Sequence, residues 1–148
     1  MENWLKFEDR EQMYGSLLRE LNLQKIEEIY HANRSEDYFI KFSAKKFLIR
    51  YINDRHHLFL EVASNSAPSK WMDLKFIKNF MQKAKELNPD MANDLKEITE
   101  LNEFLKVNFD EIAQLLSENN YQNTFGQIST LLKAEFIRKH PGKVQDSQ

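Results

Sequence analysis

The chain contains no cysteine, which excludes disulfide bonds and every metal site built on thiolate ligands. It has only three glycines, Gly15, Gly126 and Gly142, and each stands alone. The sequence therefore holds no glycine-rich loop of the kind that cradles phosphate groups. The Gly-x-Ser-x-Gly motif of serine hydrolases is also missing. These absences remove the most recognisable catalytic classes.

Long apolar runs are missing as well. No stretch approaches the roughly 18 apolar residues that a membrane-spanning helix needs, and residues 1–6 lack the basic region and apolar core of a secretory signal. Together with the absence of cysteine, this leads us to expect a cytoplasmic protein. What is present is a globular composition, with 41% hydrophobic and 30% charged residues, over a length that fits one domain.

Charge is distributed unevenly along the chain. The formal net charge is −2, so the chain as a whole lacks the basic signature of a nucleic-acid-binding protein. Residues 37–70 nevertheless hold six Lys or Arg and three acids, whereas residues 88–120 hold two Lys and eight acids. Asymmetry of this kind bears on the choice of partner rather than on the fold.

The first half of the sequence predicts one helix followed by strands. Apolar residues spaced by three and four predict an amphipathic helix from Phe7 to about Leu21. Residues 24–31 predict a first strand, and three short β-rich runs follow at 38–42, 47–52 and 58–63, separated by polar turns. This pattern is typical of an antiparallel meander of about four strands.

Alternation along the three β-rich runs assigns their side chains to two faces of a sheet. We expect the core face to carry Tyr38, Ile40, Phe42, Phe47, Ile49, Tyr51, Leu58, Leu60 and Val62. The opposite face also carries four apolar side chains, Phe39, Leu48, Ile52 and Phe59. Because exposed apolar patches usually mark contacts, we expect a C-terminal helix or a second copy of the chain, in a homodimer, to cover these four.

The second half predicts helices, with no strand after residue 72. The four segments are a helix that Asp73 caps and that ends near Leu87, a stripe from Met91 to Leu105, a helix with a capping box at Asn108 and Glu111, and a last helix that carries Phe125 to Phe136 and ends at His140. The predicted fold is α+β: an N-terminal helix, the antiparallel meander and four C-terminal helices. We expect a single domain, residues 1–148, with the helix and meander in 1–70, the helical part in 71–142 and a flexible tail at 143–148.

The residues that could support catalysis or metal binding form no recognisable motif. His56 and His57 are adjacent, so on a strand they would point to opposite faces. Neither His31 nor His140 is followed by a carboxylate or a second histidine three or four residues later. We therefore expect no metal and no cofactor. Paired carboxylates act as acid and base only where their environment shifts their pKa. An enzyme built on scattered Asp, Glu, His and Tyr residues remains a third hypothesis.

The basic part of the meander suggests a nucleic-acid-binding or regulatory module as the second hypothesis. Its cations alternate with aromatic residues, as on a sheet that follows a phosphate backbone and stacks bases. The cations are Lys41, Lys45, Lys46, Arg50 and Arg55, and the aromatic residues are Phe39, Phe42, Phe47, Tyr51 and Phe59. The same pattern fits a cross-strand ladder of charge pairs, in which Lys41 and Arg50 lie beside Glu61.

The acidic segment suggests the leading hypothesis, a protein-binding surface. On a helix that begins near residue 90, the apolar stripe leaves four carboxylates on the remaining surface: Asp94, Glu97, Glu100 and Glu103. A solvated helix face explains this arrangement simply. A docking surface for a basic protein explains it as well, because complementary potentials speed encounter and discriminate between partners.

The first half also resembles small α+β immunity-type proteins of bacterial contact-dependent and polymorphic toxin systems. The segments that carry the resemblance, within about residues 10–85, are Tyr38–Phe42, Phe47–Arg55, Leu58–Val62 and Trp71–Leu74. The resemblance implies a non-enzymatic inhibitor that binds a toxin in the bacterial cytoplasm. Combined with the acidic segment, it predicts a basic toxin as the partner, bound through Asp94, Glu97, Glu100 and Glu103.

Overall fold

The computed structural model describes residues 5–32, 37–82 and 93–139. A 3₁₀ turn at Phe7–Asp9 precedes the first helix. In chain order the elements are α1 (Glu11–Glu20), β1 (Gln24–His31), β2 (Asp37–Ser43), β3 (Phe47–Asp54), β4 (His57–Ser64), β5 (Met72–Asp73), α2 (Leu74–Met81), α3 (Leu95–Val107), α4 (Phe109–Leu115) and α5 (Tyr121–Lys139). The predicted α+β class and the predicted N-terminal helix are confirmed.

The five strands form one antiparallel sheet in the order of the sequence, β1-β2-β3-β4-β5. The meander over residues 37–63 is therefore confirmed, but the expected count of about four strands is too low. The prediction of no strand after residue 72 is also wrong, because Met72 and Asp73 pair with Val62 and Glu61 of β4. Two residues are too few to show alternation, so the sequence pattern could not reveal β5.

A two-residue turn joins β3 to β4. Asp54 pairs with His57, and the intervening Arg55 and His56 have φ angles of 49° and 70°. A two-residue hairpin turn with positive φ at both central residues is of type I′, for which Asn-Gly is a favoured sequence. Arg55 and His56 carry Cβ atoms that disfavour this conformation, so the strand pairing on either side holds the turn in place.

All nine residues that alternation assigns to the core face of the sheet are buried, and none is more than 4% exposed. The helices pack on this face alone among the described residues, and they bury Met13, Tyr14, Leu17, Leu74, Ile77, Ile98, Leu101, Leu105, Ile112 and Ile128 against it. The result is two layers, a sheet and a helical layer, around one core.

One polar network crosses this apolar core and joins three elements. The hydroxyl of Tyr51 on β3 donates to Oδ1 of Asn102 on α3 at 2.6 Å, and Nδ2 of Asn102 donates to the carbonyl oxygen of Met13 on α1 at 2.5 Å. Burial raises the pKa of the Tyr51 hydroxyl, so it remains a donor even in alkaline solution. Buried polar groups that are satisfied in this way fix the relative positions of the elements that carry them.

The helix ends correct several sequence predictions. Asp73 caps α2 as expected, and its Oδ1 accepts from the backbone N–H of Lys75 at 2.8 Å. The capping box predicted at Asn108 and Glu111 is wrong, because the Asn108 side chain donates to the Phe104 carbonyl oxygen and so serves the end of α3. The structure has its capping box at Asp94, just before α3.

The helical part also divides differently from the prediction. α3 begins at Leu95 rather than near Met91, only Asn108 separates it from α4, and α5 begins at Tyr121 rather than near Phe125. Three predictions lie outside the described residues: the stretch of the first C-terminal helix toward Leu87, the end of the last helix at His140 and the tail at 143–148.

Candidate protein-binding surfaces

Two of the four predicted site residues form the capping box of α3. Asp94 accepts from the backbone N–H of Glu97 at 2.8 Å, and the Glu97 carboxylate accepts from the backbone N–H of Asp94 at 3.2 Å. Carboxylates at a helix N-terminus satisfy free N–H groups and interact favourably with the helix dipole. Asp94 and Glu97 therefore have a structural role that explains their presence without a partner.

The other two predicted site residues, Glu100 and Glu103, are exposed and lie one turn apart on α3. Glu100 lines a small cleft of about 140 Å³ together with Glu97 and with Lys75 and Lys78 of α2. Glu103 lies on the side toward α1, where Lys106 bridges it to Glu20 with Nζ–Oε2 distances of 2.9 and 3.1 Å. Glu97 and Glu100 thus border one cleft, whereas Glu103 forms ion pairs through Lys106.

Lys106 reduces the negative charge where α1 meets α3. Hydrogen bonds from its ammonium group to Glu103 and Glu20 raise the pKa of Lys106, so the cation remains charged over the physiological range. Both ion pairs are accessible to solvent, with between 33% and 64% of each side chain exposed, and ion pairs at the surface contribute little to stability. A cation from a partner could therefore compete with Lys106 for the Glu103 carboxylate at low cost.

The acidic surface continues onto α4, where sequence reasoning named no site residues. The side chain of Asp110 is 94% exposed and lies 3.9 Å from Nζ of Lys46. Asp110 and Glu118 border an open cleft of about 700 Å³ between α4 and the end of β4, where Lys46 and Ser64 form part of the wall. The signal for this extension was present in the sequence, because the excess of acids runs through residue 120.

The strands β2 and β3, which we call the basic hairpin, have much of their positive charge paired within the molecule. Arg50 forms an ion pair with Glu61, and Lys41 lies 3.6 Å from Glu27. The ring of Trp71 stacks on both cations, with its centroid 4.3 Å from Cζ of Arg50 and 5.7 Å from Nζ of Lys41. The predicted ladder of charges across the sheet is thus confirmed for Arg50 and Glu61.

The aromatic residues of the basic hairpin and of β4 divide between the two faces. Phe42, Phe47 and Tyr51 lie in the core. Phe39 and Phe59 lie on the opposite face of the sheet, which we call the open face, where they are half-buried. Few of the aromatic rings are therefore placed to stack on a bound nucleic acid.

The four apolar residues predicted on the open face do lie there. Phe39, Leu48, Ile52 and Phe59 are all half-buried, and none belongs to the core cluster or to the side chains packed against it. Within residues 5–32, 37–82 and 93–139, no helix supplies the expected cover. A second copy of the chain remains a prediction.

The histidines do not assemble a metal centre in the part of the chain that the structure describes, where no group of three or more His, Asp or Glu side chains is close enough to hold an ion. His56 and His57 border a cleft of about 520 Å³ with Asp9, Asp94 and Glu97. His31 is exposed at the end of β1, and His140 lies outside the described residues.

Comparisons with protein-family models, with curated proteins and with solved structures found no match to this chain. Among the helices that the structure describes, none combines the length and the apolar character needed to cross a membrane.

Proposed function

We propose that this chain is a non-enzymatic protein-binding domain that docks a basic protein through the surface formed by α3 and α4. The observation that carries the proposal is the charge of this segment, since residues 94–118 contain seven acids and only two lysines. These helices pack on the core face of the sheet, and all of their acids except the half-buried Glu97 are exposed to solvent. The resemblance to immunity-type proteins supports a toxin as the basic partner.

The carboxylates of this surface differ in how free they are to bind. Asp94 and Glu97 are engaged in the capping box, so they contribute to the local field but already accept backbone hydrogen bonds. Glu100 lies outside that capping box and is exposed, and Asp110 is almost fully exposed. We therefore assign direct contacts to Glu100, Glu103 and Asp110, and long-range steering to the whole acidic segment.

The basic hairpin gives weaker support to nucleic-acid binding. Glu27 and Glu61 pair with Lys41 and Arg50, so these four side chains together have no net positive charge to attract a phosphate backbone. Lys45 and Lys46 at the β2–β3 turn are exposed, but two cations supply few of the phosphate contacts on which nucleic-acid affinity depends.

Affinity capture followed by lysine cross-linking tests the proposal. The immobilised chain is used to capture partners at low salt, and each captured protein is then cross-linked to the chain in solution. Lys96 is exposed on α3, one helical turn before Glu100, so we expect it to be the main cross-linked residue. A partner that cross-links only at Lys41 or Lys45 would contradict the proposal.

A matched pair of variants adds specificity to this experiment. Glu100→Lys and Glu8→Lys produce the same change in net charge at exposed positions, but Glu8 lies in the 3₁₀ turn before α1, beside Tyr30. We expect Glu100→Lys to reduce capture several-fold and Glu8→Lys to leave it near the wild-type level. Equal losses would show that net charge alone, and not the α3–α4 surface, drives the association.

A further inference from the structure

The strand register arranges the side chains of the open face in four parallel rows, and the one nearest Trp71 holds Ser43, Leu48 and Ala63. The apolar row runs across the four long strands as Ile29, Phe39, Ile52 and Phe59. On one side of it lies the inner charged row, Glu27, Lys41, Arg50 and Glu61. On the other side lies the outer charged row, His31, Asp37, Asp54 and His57.

The two charged rows have opposite and mirror-symmetric patterns. From β1 to β4 the inner row reads acid, base, base, acid, and the outer row reads imidazole, acid, acid, imidazole. A histidine ring donates an N–H group to a carboxylate in either protonation state. On each strand, therefore, one of the two rows supplies a hydrogen-bond donor and the other row supplies an acceptor.

We propose that a second copy of this chain occupies the open face, with the two sheets stacked face to face about a two-fold axis that runs along the apolar row. Such an axis places each strand over the same strand of the other copy, running in the opposite direction. The inner row of one copy then lies over the outer row of the other. Lys41 meets Asp37 of the second copy, and Arg50 meets its Asp54.

The same arrangement stacks the apolar row on itself. Phe39 and Ile52 would lie over the apolar row of the second copy, at the roughly 10 Å separation typical of sheets packed face to face. A symmetric interface must be complementary to itself, and this face meets that condition in both its apolar and its charged rows.

Charge also excludes the other simple way to stack two open faces. A two-fold axis parallel to the strands would place Lys41 over Arg50 and Glu27 over Glu61, and like charges in contact are unfavourable. The sequence of signs along the rows thus selects one orientation and one register for the pair.

Trp71 supports this arrangement from the edge of the face. By continuation of the β4–β5 register, Trp71 falls beside Ala63, on the side of the inner charged row away from the apolar row. Its ring stacks on Arg50 and Lys41 and holds both cations before the second copy arrives. Ordering charged side chains in advance reduces the entropy cost of association.

Charge reversal at facing positions tests the register. In the proposed pair, Lys41→Glu would face Asp37 of the second copy, and Asp37→Lys would face its Lys41, so each variant alone repels itself at two symmetric points. In a mixture of the two variants, the introduced carboxylate of one chain faces the introduced ammonium group of the other, and the native Lys41 and Asp37 still face each other. The oligomeric state of each sample is measured by sedimentation velocity over a range of concentrations.

We expect the wild-type chain to form a dimer, each single variant to dimerise at least about tenfold more weakly, and the equimolar mixture to recover the dimer. Recovery would also show that both variants are folded. Ile52→Lys should abolish the dimer by placing two ammonium groups together in the apolar row. Leu131→Ser is the control, because Leu131 is an exposed apolar residue on α5, and it should leave the dimer intact.

The inference is overturned by a wild-type chain that remains monomeric at the highest concentration reached, or by a mixture of the two charge variants that stays monomeric. A dimer that survives Ile52→Lys but is lost in Leu131→Ser would overturn it as well, since the contact would then lie on α5. The result is independent of the proposed function, because the acidic surface lies on the helical layer and the open face lies on the other side of the sheet.

Discussion

Removing the hydroxyl group of Tyr51 tests whether the polar network in the core stabilises the fold. Tyr51→Phe keeps the ring, which is fully buried, and deletes only the donor to Asn102 at 2.6 Å. The Oδ1 atom of Asn102 then loses this donor in a residue that is 6% exposed. Leaving a buried acceptor unsatisfied costs about 1–3 kcal/mol, so we expect the free energy of unfolding to fall by about that amount.

A double-mutant cycle with Asn102→Leu separates the hydrogen bond from the change in packing. Asn102→Leu alone strands the buried Tyr51 hydroxyl and should also destabilise the protein. The double variant places two apolar groups together, and replacing both partners of a buried hydrogen bond by apolar groups can be nearly neutral. The bond from Asn102 to the Met13 carbonyl oxygen is lost in both variants that carry Asn102→Leu, so its loss cancels in the cycle. We therefore expect the double variant to lose less stability than the sum of the two single variants, by about 0.5–3 kcal/mol.

Urea unfolding followed by tryptophan fluorescence and circular dichroism measures these differences. For a domain of this size, each kcal/mol should also lower Tm by about 2–4 °C. Surface substitutions usually change the free energy of unfolding by less than about 0.5 kcal/mol. A change no larger than that in Tyr51→Phe would refute the claim that the Tyr51–Asn102 hydrogen bond joins β3 to α3. Additive effects in the cycle would refute it as well.

Three further predictions concern single elements of the fold. Asp94→Ala should lower the free energy of unfolding by about 1 kcal/mol through loss of the α3 cap, whereas Glu100→Gln should change it by less than about 0.5 kcal/mol. Equal changes in the thermal stability of the two variants would contradict the separate roles assigned to Asp94 and Glu100. Replacing Arg55-His56 by Asn-Gly should raise stability by about 1 kcal/mol, because the new residues accept the positive φ angles of the turn, and a lower Tm would count against that reading. Burial raises the pKa of the Asp73 carboxyl group despite the hydrogen bond from Lys75. The folded state therefore binds the carboxyl proton more tightly than the unfolded chain does. The resulting stability is lost as the pH rises from about 3.9, the unfolded value, through the folded pKa. Asp73→Asn should therefore lose less unfolding free energy than the wild type between about pH 4 and 7, and parallel pH profiles would show that Asp73 titrates normally.

Alternation predicted the core of the sheet well because burial on one face leaves a period of two in the sequence. Each assigned core residue, from Tyr38 to Val62, is buried. β5 escaped prediction because backbone pairing alone forms a strand of two residues, and no side-chain pattern marks it. The capping box was misplaced because Asn108 and Glu111 have the right spacing, yet the short break between α3 and α4 directs Asn108 toward the preceding helix.

The candidate site was predictable in its charge but not in its geometry. The count of acids located the α3–α4 segment. It could not show that Asp94 and Glu97 bond to each other's backbone, or that Glu100 borders a cleft with lysines of α2 while Glu103 pairs with Lys106. The matching of the two charged rows was also hidden in the sequence, because it depends on the register that aligns Lys41 with Arg50 and His31 with Asp37.

The dependence of association rate on salt tests the proposed docking surface most directly. The partner identified by capture and cross-linking is mixed with the wild-type chain and with the Glu100→Lys/Glu103→Lys variant at about 20 mM and about 500 mM salt. Screening shortens the range of electrostatic attraction from about 20 Å to a few ångströms between these conditions. We expect the variant to associate at least about tenfold more slowly at low salt and at nearly the wild-type rate at high salt. Equal association rates for the two proteins at low salt would contradict the assignment of the α3–α4 surface as the docking site.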